Sequence, residues 1–320
     1  MLDAFNEISS ATRYFENRSQ DGRVQHVTDY LAEPDPDSEH GQFGYADTDL
    51  CPRTVHRADL HRLLVQEVGC EHVRIAHRLA SVVEHEDHVA LTFTDGVTVR
   101  AGLLIAADGL RSTVRTLFDD SDIHYCGAVI FRAVSPAGCL DGLGPNDRLR
   151  SWRSADHGKH VIAMPVRAGA QVSVDATLAV DEPPRQLWSA QADLEALARQ
   201  FDGFDQVVPR MIRAATGPVF MHPVYDRDPI PRWTTARIAL LGDAAHPMTP
   251  FGGQGANQAI QDAAELAAQI AIIHDDAYSA ALARYQRVRV AQTAAIQRSA
   301  RRFGEGRATV PVRLAEILLR

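Results

Sequence analysis

The chain has 320 residues, 45% of them hydrophobic, and a formal net charge of −8, which suits a globular protein of one to three domains and excludes a disordered tail. Lys and Arg are scattered along it, so there is no basic footprint for nucleic acid and a DNA or RNA partner is excluded. Cys51, Cys70, Cys126 and Cys139 lie far apart without C-x-x-C spacing; they read as buried free thiols, not as a disulfide framework or zinc knuckle, and with no apolar signal segment at the start they imply a cytoplasmic protein.

In chain order, the proline-bearing AEPDPDSEHG at 32–41 reads as a surface loop. Within RTVHRADLHRLLVQEVG, residues 53–69, Leu60, Leu63, Leu64 and Val68 recur at helical spacing between Asp59 and Gly69, predicting a helix of about four turns. Alternating apolar and polar positions follow, with Asp95-Gly96 between two strand-like runs as a hairpin signal. His85 and His88 fall in that region on opposite strand faces, which argues against a metal site. Leu103 to Ala107 is continuously apolar, the pattern of a strand buried on both faces.

From about Ser121 to Trp233 come short strand candidates, AVIFRAV, HVIAMPV and AQVSVDATLAV, and one helix near LEALARQF. They predict an inserted, mostly antiparallel sheet. ARIALLGD is a second buried strand, followed by a Gly- and Pro-rich loop and an Ala-rich helix starting near Gly255. Gln258, Gln261, Asp262, Glu265 and Gln269 interrupt that helix, which marks it as soluble and not as a membrane span. Ala277 to Arg302 predicts a last helix with Tyr285, Val288, Ala295 and Ile296 on an apolar line and six arginines on a solvated face. No spacing assigns a Ser-His-Asp or Cys-His arrangement, so no catalytic side chain is named.

The loop itself holds Gly253-Gln254-Gly255-Ala256-Asn257-Gln258, nearly G-x-G-x-x-G. Two features argue against a dinucleotide turn: Gln258 stands where Gly or Ala is needed, and the loop from Gly242 is too long. Asp243 instead sits at the carboxyl end of a buried strand, where open α/β sheets bind ligands, and its acceptor-only carboxylate suits a polyhydroxyl chain. Pro247 and Pro250 stiffen the loop, and Gly252, Gly253 and Gly255 let a flat ligand approach the backbone. The helix start then presents free N–H groups that stabilise an anionic ring. His246 reads as a packing and hydrogen-bonding residue.

RIALLGDAAHPMTPFGGQGANQAIQDAAELA resembles the Gly-Asp motif of the FAD-dependent aromatic hydroxylases, the flavoprotein monooxygenases that include salicylate hydroxylase-like and phenazine-modifying enzymes. LLIAADGLRSTVR resembles their Asp-Gly motif, VHRADLHRLL the helix start whose arginine contacts FAD, and HPVYDRDPIPRW the segment leading into the Gly-Asp strand. The resemblance implies an α/β fold with an α+β insert: an FAD-binding Rossmann-like domain over 1–120, a substrate-binding sheet domain over 121–233, and over 234–320 the FAD domain again with C-terminal helices. It implies that Arg57 contacts FAD, that Asp108 and Gly109 lie where the pyrophosphate side and the reduced nicotinamide approach, that Asp243 takes ribityl hydroxyls, that Pro250 and Gly253 line the flavin, and that Gly255, Ala256 and Asn257 face its pyrimidine edge. For Arg57 the alternative is a surface ion pair with Asp59 or Glu67, and for Asp108-Gly109 an ordinary strand-end turn. NADH or NADPH would reduce the flavin, and dioxygen would supply the oxygen given to a small aromatic ring lying near Ile130 to Val134 and His160 to Val166; a homodimer is compatible with it.

Family members open with a strand, G-x-G-x-x-G and a helix around the ADP half of FAD, whereas this chain opens at MLDAFNEISSATRYFENRSQDGRV, which resembles family sequence from beyond that unit. The expectation is an N-terminally truncated FAD-binding domain with exposed strand edges, exposed apolar surface and weak FAD binding. Three readings stand: a monooxygenase, a non-catalytic fragment that does not bind FAD, and a related flavoprotein oxidoreductase without oxygen insertion.

Overall fold

The computed structural model describes residues 2–32, 51–182, 190–273, 277–304 and 314–319. The surface-loop expectation at 32–41 falls almost wholly outside them. The chain divides into two compact units, one of Met1–Val73, Gly127–Pro223 and Gly306–Arg320, the other of Arg74–Cys126 and Val224–Glu305. The first 73 residues therefore belong with the large sheet, whereas the sequence motifs group 1–120 together.

The first unit begins with helix α1 (Leu2–Ile8) and strands β1 (Ser9–Ala11), β2 (Tyr14–Ser19) and β3 (Val24–Asp29), followed by β4 (Arg53–Val55) and helix α2 (Arg57–Val68). The predicted four-turn helix is thus shorter, because Arg53–Val55 pairs with β1 and Gly69 ends the helix at φ 89°. Of its apolar stripe Leu63 is buried, while Leu64 and Val68 are exposed.

In the second unit a meander of β5 (Leu79–Glu84), β6 (Val89–Phe93) and β7 (Thr98–Ala101) precedes β8 (Leu104–Ala106). The Asp95-Gly96 hairpin is present, with Asp95 Oδ1 accepting from the Val97 N–H at 3.0 Å. His85 and His88 lie in the preceding turn, not on strand faces, and their rings stack with centroids 4.4 Å apart.

Strands β9 (His124–Pro136), β10 (Arg148–Arg153), β11 (Lys159–Val166) and β12 (Gln171–Ala179) come next, then α3 (Leu194–Arg199), α4 (Val207–Arg213) and β13 (Phe220–Asp226). The seven-stranded sheet runs β13-β9-β12-β11-β10-β2-β3. It is mostly antiparallel, as the alternation predicts, but β2 joins it parallel to β10. One face is the core of this unit: Phe131, Trp152, Val174 and Leu178 pack with Leu197 of α3 and Met211 and Ile212 of α4.

The second unit closes with β14 (Ile238–Leu240), α5 (Gly255–Ala271) and α6 (Tyr278–Gly304); α7 (Leu314–Ile317) returns to the first. β14 is wholly buried, but β8 is not: Ile105 keeps 44% of its surface. An apolar run reads as doubly covered whatever lies beside it, and among the described residues β8 pairs only with β14. On α5 the buried line is Gln258, Asp262 and Leu266, while Ile260 is 56% exposed and the alanines at 256, 263 and 267 share its open face. The buried line of α6 is likewise not the predicted apolar one: Val288 and Ala295 are exposed, and Leu282, Tyr285, Arg289, Thr293 and Gln297 are buried. Of the cysteines only Cys139 is buried. Among the described residues no helix is long and apolar enough to cross a membrane.

Candidate functional site

β14 and β8 run parallel, with Ile238 opposite Leu104 and Leu240 opposite Ala106. The two turns that follow them, Asp108-Gly109 and Gly242-Asp243, therefore emerge side by side at the carboxyl edge. Parallel strands bind ligands at that edge because loops, and helix N-termini, open there.

Each turn is fixed by a different device. Gly109 has φ 81°, and Asp108 Oδ2 accepts from the Thr113 N–H at 2.8 Å and the Val114 N–H at 3.3 Å. The Asp108 carboxylate thus makes the strand-end turn that was its alternative reading. Buried Arg115, from the same motif, donates to the carbonyls of Ala244 at 3.2 Å and Ala245 at 2.7 Å. This guanidinium ties the Asp-Gly motif to the Gly-Asp loop, and burial pulls its pKa below the ordinary arginine value.

Gly242 has φ 60°, and a Cβ there would meet the Ala259 Cβ at 3.2 Å. Its N–H donates to Asp262 Oδ2 at 3.0 Å. That carboxylate, fully buried on α5, also holds His246 Nε2 at 2.5 Å and the Arg289 Nε–H at 2.7 Å. Burial alone would raise the Asp262 pKa, but the hydrogen bonds and charges of His246 and Arg289 more than offset it and leave the group below its ordinary value. Arg289 donates further to Gln258 Oε1 at 2.7 Å. Farther along the loop, Gln297 Nε2 donates to the Pro247 carbonyl at 3.0 Å, and the Thr249 hydroxyl to the Ala300 carbonyl at 2.7 Å. The loop is pinned from below by α5 and α6, and His246 packs and hydrogen-bonds as its place in the sequence suggests.

Above that network lie the residues singled out from the sequence. Asp243 is exposed, and a Cβ on Gly255, the first residue of α5, would lie 3.9 Å from its Oδ1. Pro250 and Gly253 are exposed; Gly253 is left-handed at φ 64° with nothing within 4 Å of an added Cβ. Ala256 is exposed, and half-buried Asn257 donates to Gln254 Oε1 at 3.1 Å. Asp108, Gly109, Asp243, Pro250, Gly253, Gly255, Ala256 and Asn257 all belong to the second unit, while Arg57 belongs to the first. Arg57 is exposed at the start of α2 and makes no ion pair among the described residues; Asp59 pairs instead with Arg167 at 2.7 Å.

A family described as FAD binding domain matches residues 16–300. The chain belongs to the FAD-dependent aromatic hydroxylase family. It is 35% identical over 251 residues to a 3-amino-4-hydroxybenzoate 2-monooxygenase of Streptomyces cremeus, a match covering 78% of this chain and 61% of that protein. A 6-hydroxynicotinate 3-monooxygenase of Bordetella bronchiseptica is 36% identical over 222 residues, 67% of this chain and 55% of that one. The structure of Klebsiella pneumoniae HpxO complexed with FAD and uric acid superposes with a TM-score of 0.79 at 26% identity, covering 95% of this chain and 74% of that chain. Matches to the curated relatives span about three fifths of their length.

The sequence reading missed Arg115, Asp262 and Arg289. A signal for Asp262 was present: polar Gln258 and Asp262 stand four apart in an Ala-rich helix, the spacing of one face. That this polar face is the buried one follows only from its partners on α6 and the loop.

Proposed function

We propose that the chain carries the flavin and substrate parts of an FAD- and NAD(P)H-dependent monooxygenase that hydroxylates a small aromatic or related electron-rich ring. The observation that carries this reading is the pairing of the Asp108-Gly109 and Gly242-Asp243 turns on one carboxyl edge, with the N-terminus of α5 beside Asp243.

The residues present fit the ribityl and isoalloxazine end of FAD. Asp243 is exposed for hydroxyl donors, and the space over Gly109 and Gly253 is open on their Cβ sides, so a flat ring can lie against the backbone. The free N–H groups of α5 at Gly255, Ala256 and Asn257 would stabilise negative charge on that ring. Pro250 would line it, and Arg57 is a further proposed cofactor contact. Bound FAD would supply electron transfer from NADH or NADPH and the activation of dioxygen. The chain's own part is to hold the ring system, keep its donors aimed and exclude water; the buried Asp262 network does this by fixing the loop before any ligand arrives.

Titration of the purified chain with riboflavin and with FAD, followed by flavin fluorescence, tests this. Both ligands contain the ribityl-flavin unit, so both should bind, and Asp243→Ala should weaken both by roughly tenfold, the loss of a charge-assisted hydrogen bond or two. Unchanged flavin affinity in Asp243→Ala would overturn the assignment of Asp243. The open faces of β8 and α5, at Ile105 and Ile260, favour a second reading in which this chain alone does not hold flavin; absence of binding by either ligand selects it.

A further inference from the structure

α6, Tyr278–Gly304, carries six arginines and no acidic residue, in a chain whose formal net charge is −8. Three of the arginines are engaged. Arg284 donates to Gln269 Oε1 at 2.5 Å, Arg289 to Asp262 Oδ1 at 2.7 Å, and Arg301 to Asp226 Oδ2 and Asp228 Oδ1, both at 2.7 Å. Arg287, Arg298 and Arg302 are exposed and make no hydrogen bond or ion pair among the described residues. At about 100° per residue, these three fall on one stripe of the helix, and exposed Ala291, Ala295 and Val288 fall on it with them. Arg287 and Arg302 stand about 22 Å apart along the axis. The stripe thus has arginine at both ends and two alanines, one turn apart, between them.

A solvated helix face ordinarily mixes signs, because opposite charges four apart stabilise a helix and like charges repel. Arg298 and Arg302 are four apart with the same sign, so the stripe carries a repulsion that an anionic partner would relieve. Guanidinium forks take carboxylates bidentately, and the small side chains of Ala291 and Ala295 let a second helix approach to about 8 Å. Three other occupants fit less well. A second copy of this face, laid antiparallel about its centre, brings arginine-bearing ends onto one another. A membrane surface anchors amphipathic helices through bulky apolar side chains, and the stripe offers Val288 and alanines. Nucleic acid would find no aromatic side chain on the stripe to stack on, and an acidic chain around it.

We propose that this face of α6 is a docking surface for an acidic helix of another protein, which lays small side chains against Ala291 and Ala295 and carboxylates on Arg287, Arg298 and Arg302. Carboxylates about three turns apart, roughly 16 Å, match the separation of Arg287 and Arg298. None of the three arginines belongs to the flavin edge, so the docking does not rest on the monooxygenase reading.

The test is fluorescence anisotropy of a labelled Ala-rich helical peptide carrying glutamates at the spacing of the three arginines, titrated with the full chain, with the same peptide bearing glutamines as the uncharged control. The wild-type chain should prefer the glutamate peptide by at least about tenfold at low salt, the worth of three exposed ion pairs, and the preference should shrink as salt is added. Arg287→Gln, Arg298→Gln and Arg302→Gln together should erase it. Ala291→Phe keeps every arginine but holds a second helix away, and should weaken the glutamate peptide by about tenfold. If circular dichroism shows the triple variant unfolded, Arg298→Gln by itself should lower the preference about twofold. Absence of the preference in the wild-type chain, or its persistence in the arginine variants, overturns the proposal. Undiminished binding by Ala291→Phe, or tighter binding of phosphatidylserine vesicles or single-stranded DNA at the same salt, also overturns it, because a basic surface without a docking shape would behave so.

Discussion

Two sheets of the molecule, one in each unit, are held by different forces. The seven-stranded sheet buries one face against α3 and α4 with Phe131, Trp152, Leu178 and Met211, an apolar contact whose strength scales with area. The β8–β14 pair has only two strands among the described residues, with Ile105 exposed, and its loops are held by a buried polar network around Asp262, Arg289, His246 and Arg115. Apolar packing specifies a surface and tolerates small shifts. A network of directional hydrogen bonds specifies the position of individual loop atoms, which is what the proposed flavin site at Asp243 and the α5 N-terminus would require.

That contrast can be broken most directly at Asp262. Asp262→Ala leaves buried Arg289 uncompensated and should cost about 3–5 kcal/mol in denaturant unfolding of its unit, and Leu178→Ala in the other sheet about 2–5 kcal/mol by cavity formation. The two should part on acidification. His246 and Arg289 hold the folded Asp262 carboxyl below the ordinary aspartate range, so its contribution is present above that range and lost as pH falls through the lower folded pKa. Unfolding curves of the wild-type chain, Asp262→Asn and Leu178→Ala from pH 6 down to about 3 read this out: the Asn variant should show a shallower acid loss than wild type, and the Leu178→Ala deficit should stay constant. Parallel acid curves for all three would sink the distinction.

Gly253 sharpens the comparison at the loop surface. An added Cβ meets nothing within 4 Å, so Gly253→Ala should cost only the left-handed strain, about 1 kcal/mol, while flavin affinity drops because the methyl stands in the open space. A thermal shift far larger than that strain would mean that the loop is packed more tightly than its geometry shows. The smallest effect belongs to the open strand: Ile105→Ser should change stability by less than about 0.5 kcal/mol. A loss above 1.5 kcal/mol in the same assay would show that this face is covered in solution.

Much of the second unit was legible from residue order. Buried ARIALLGD, the long glycine loop and the helix starting at Gly255 are local signals, since apolar runs, Gly and Pro set backbone preferences within a few residues. The burial of Arg289 was not legible: on α6 its charge reads as solvated, and only a carboxylate 27 positions earlier makes the interior acceptable to it. Likewise Leu103 to Ala107 reads as doubly buried from its composition, yet the exposure of Ile105 depends on which strands lie beside it. The membership of β2 in the large sheet has the same origin, because its parallel pairing with β10 joins residues more than 130 apart.

By itself the sequence determined the α/β class, the antiparallel insert, the two acidic turn motifs and the family they belong to, all of which rest on short-range patterns or contiguous motifs. Tertiary structure alone decided that the two turns share one carboxyl edge, that Arg115 and Asp262 bind the loop from beneath, and that Arg287, Arg298 and Arg302 stand exposed while Arg289 of the same helix is buried. Those outcomes are pairings between distant segments. A charged side chain carries the same local signature whether it ends in water, in a buried ion pair or on a face open to a partner, and only what folding brings to it distinguishes the three.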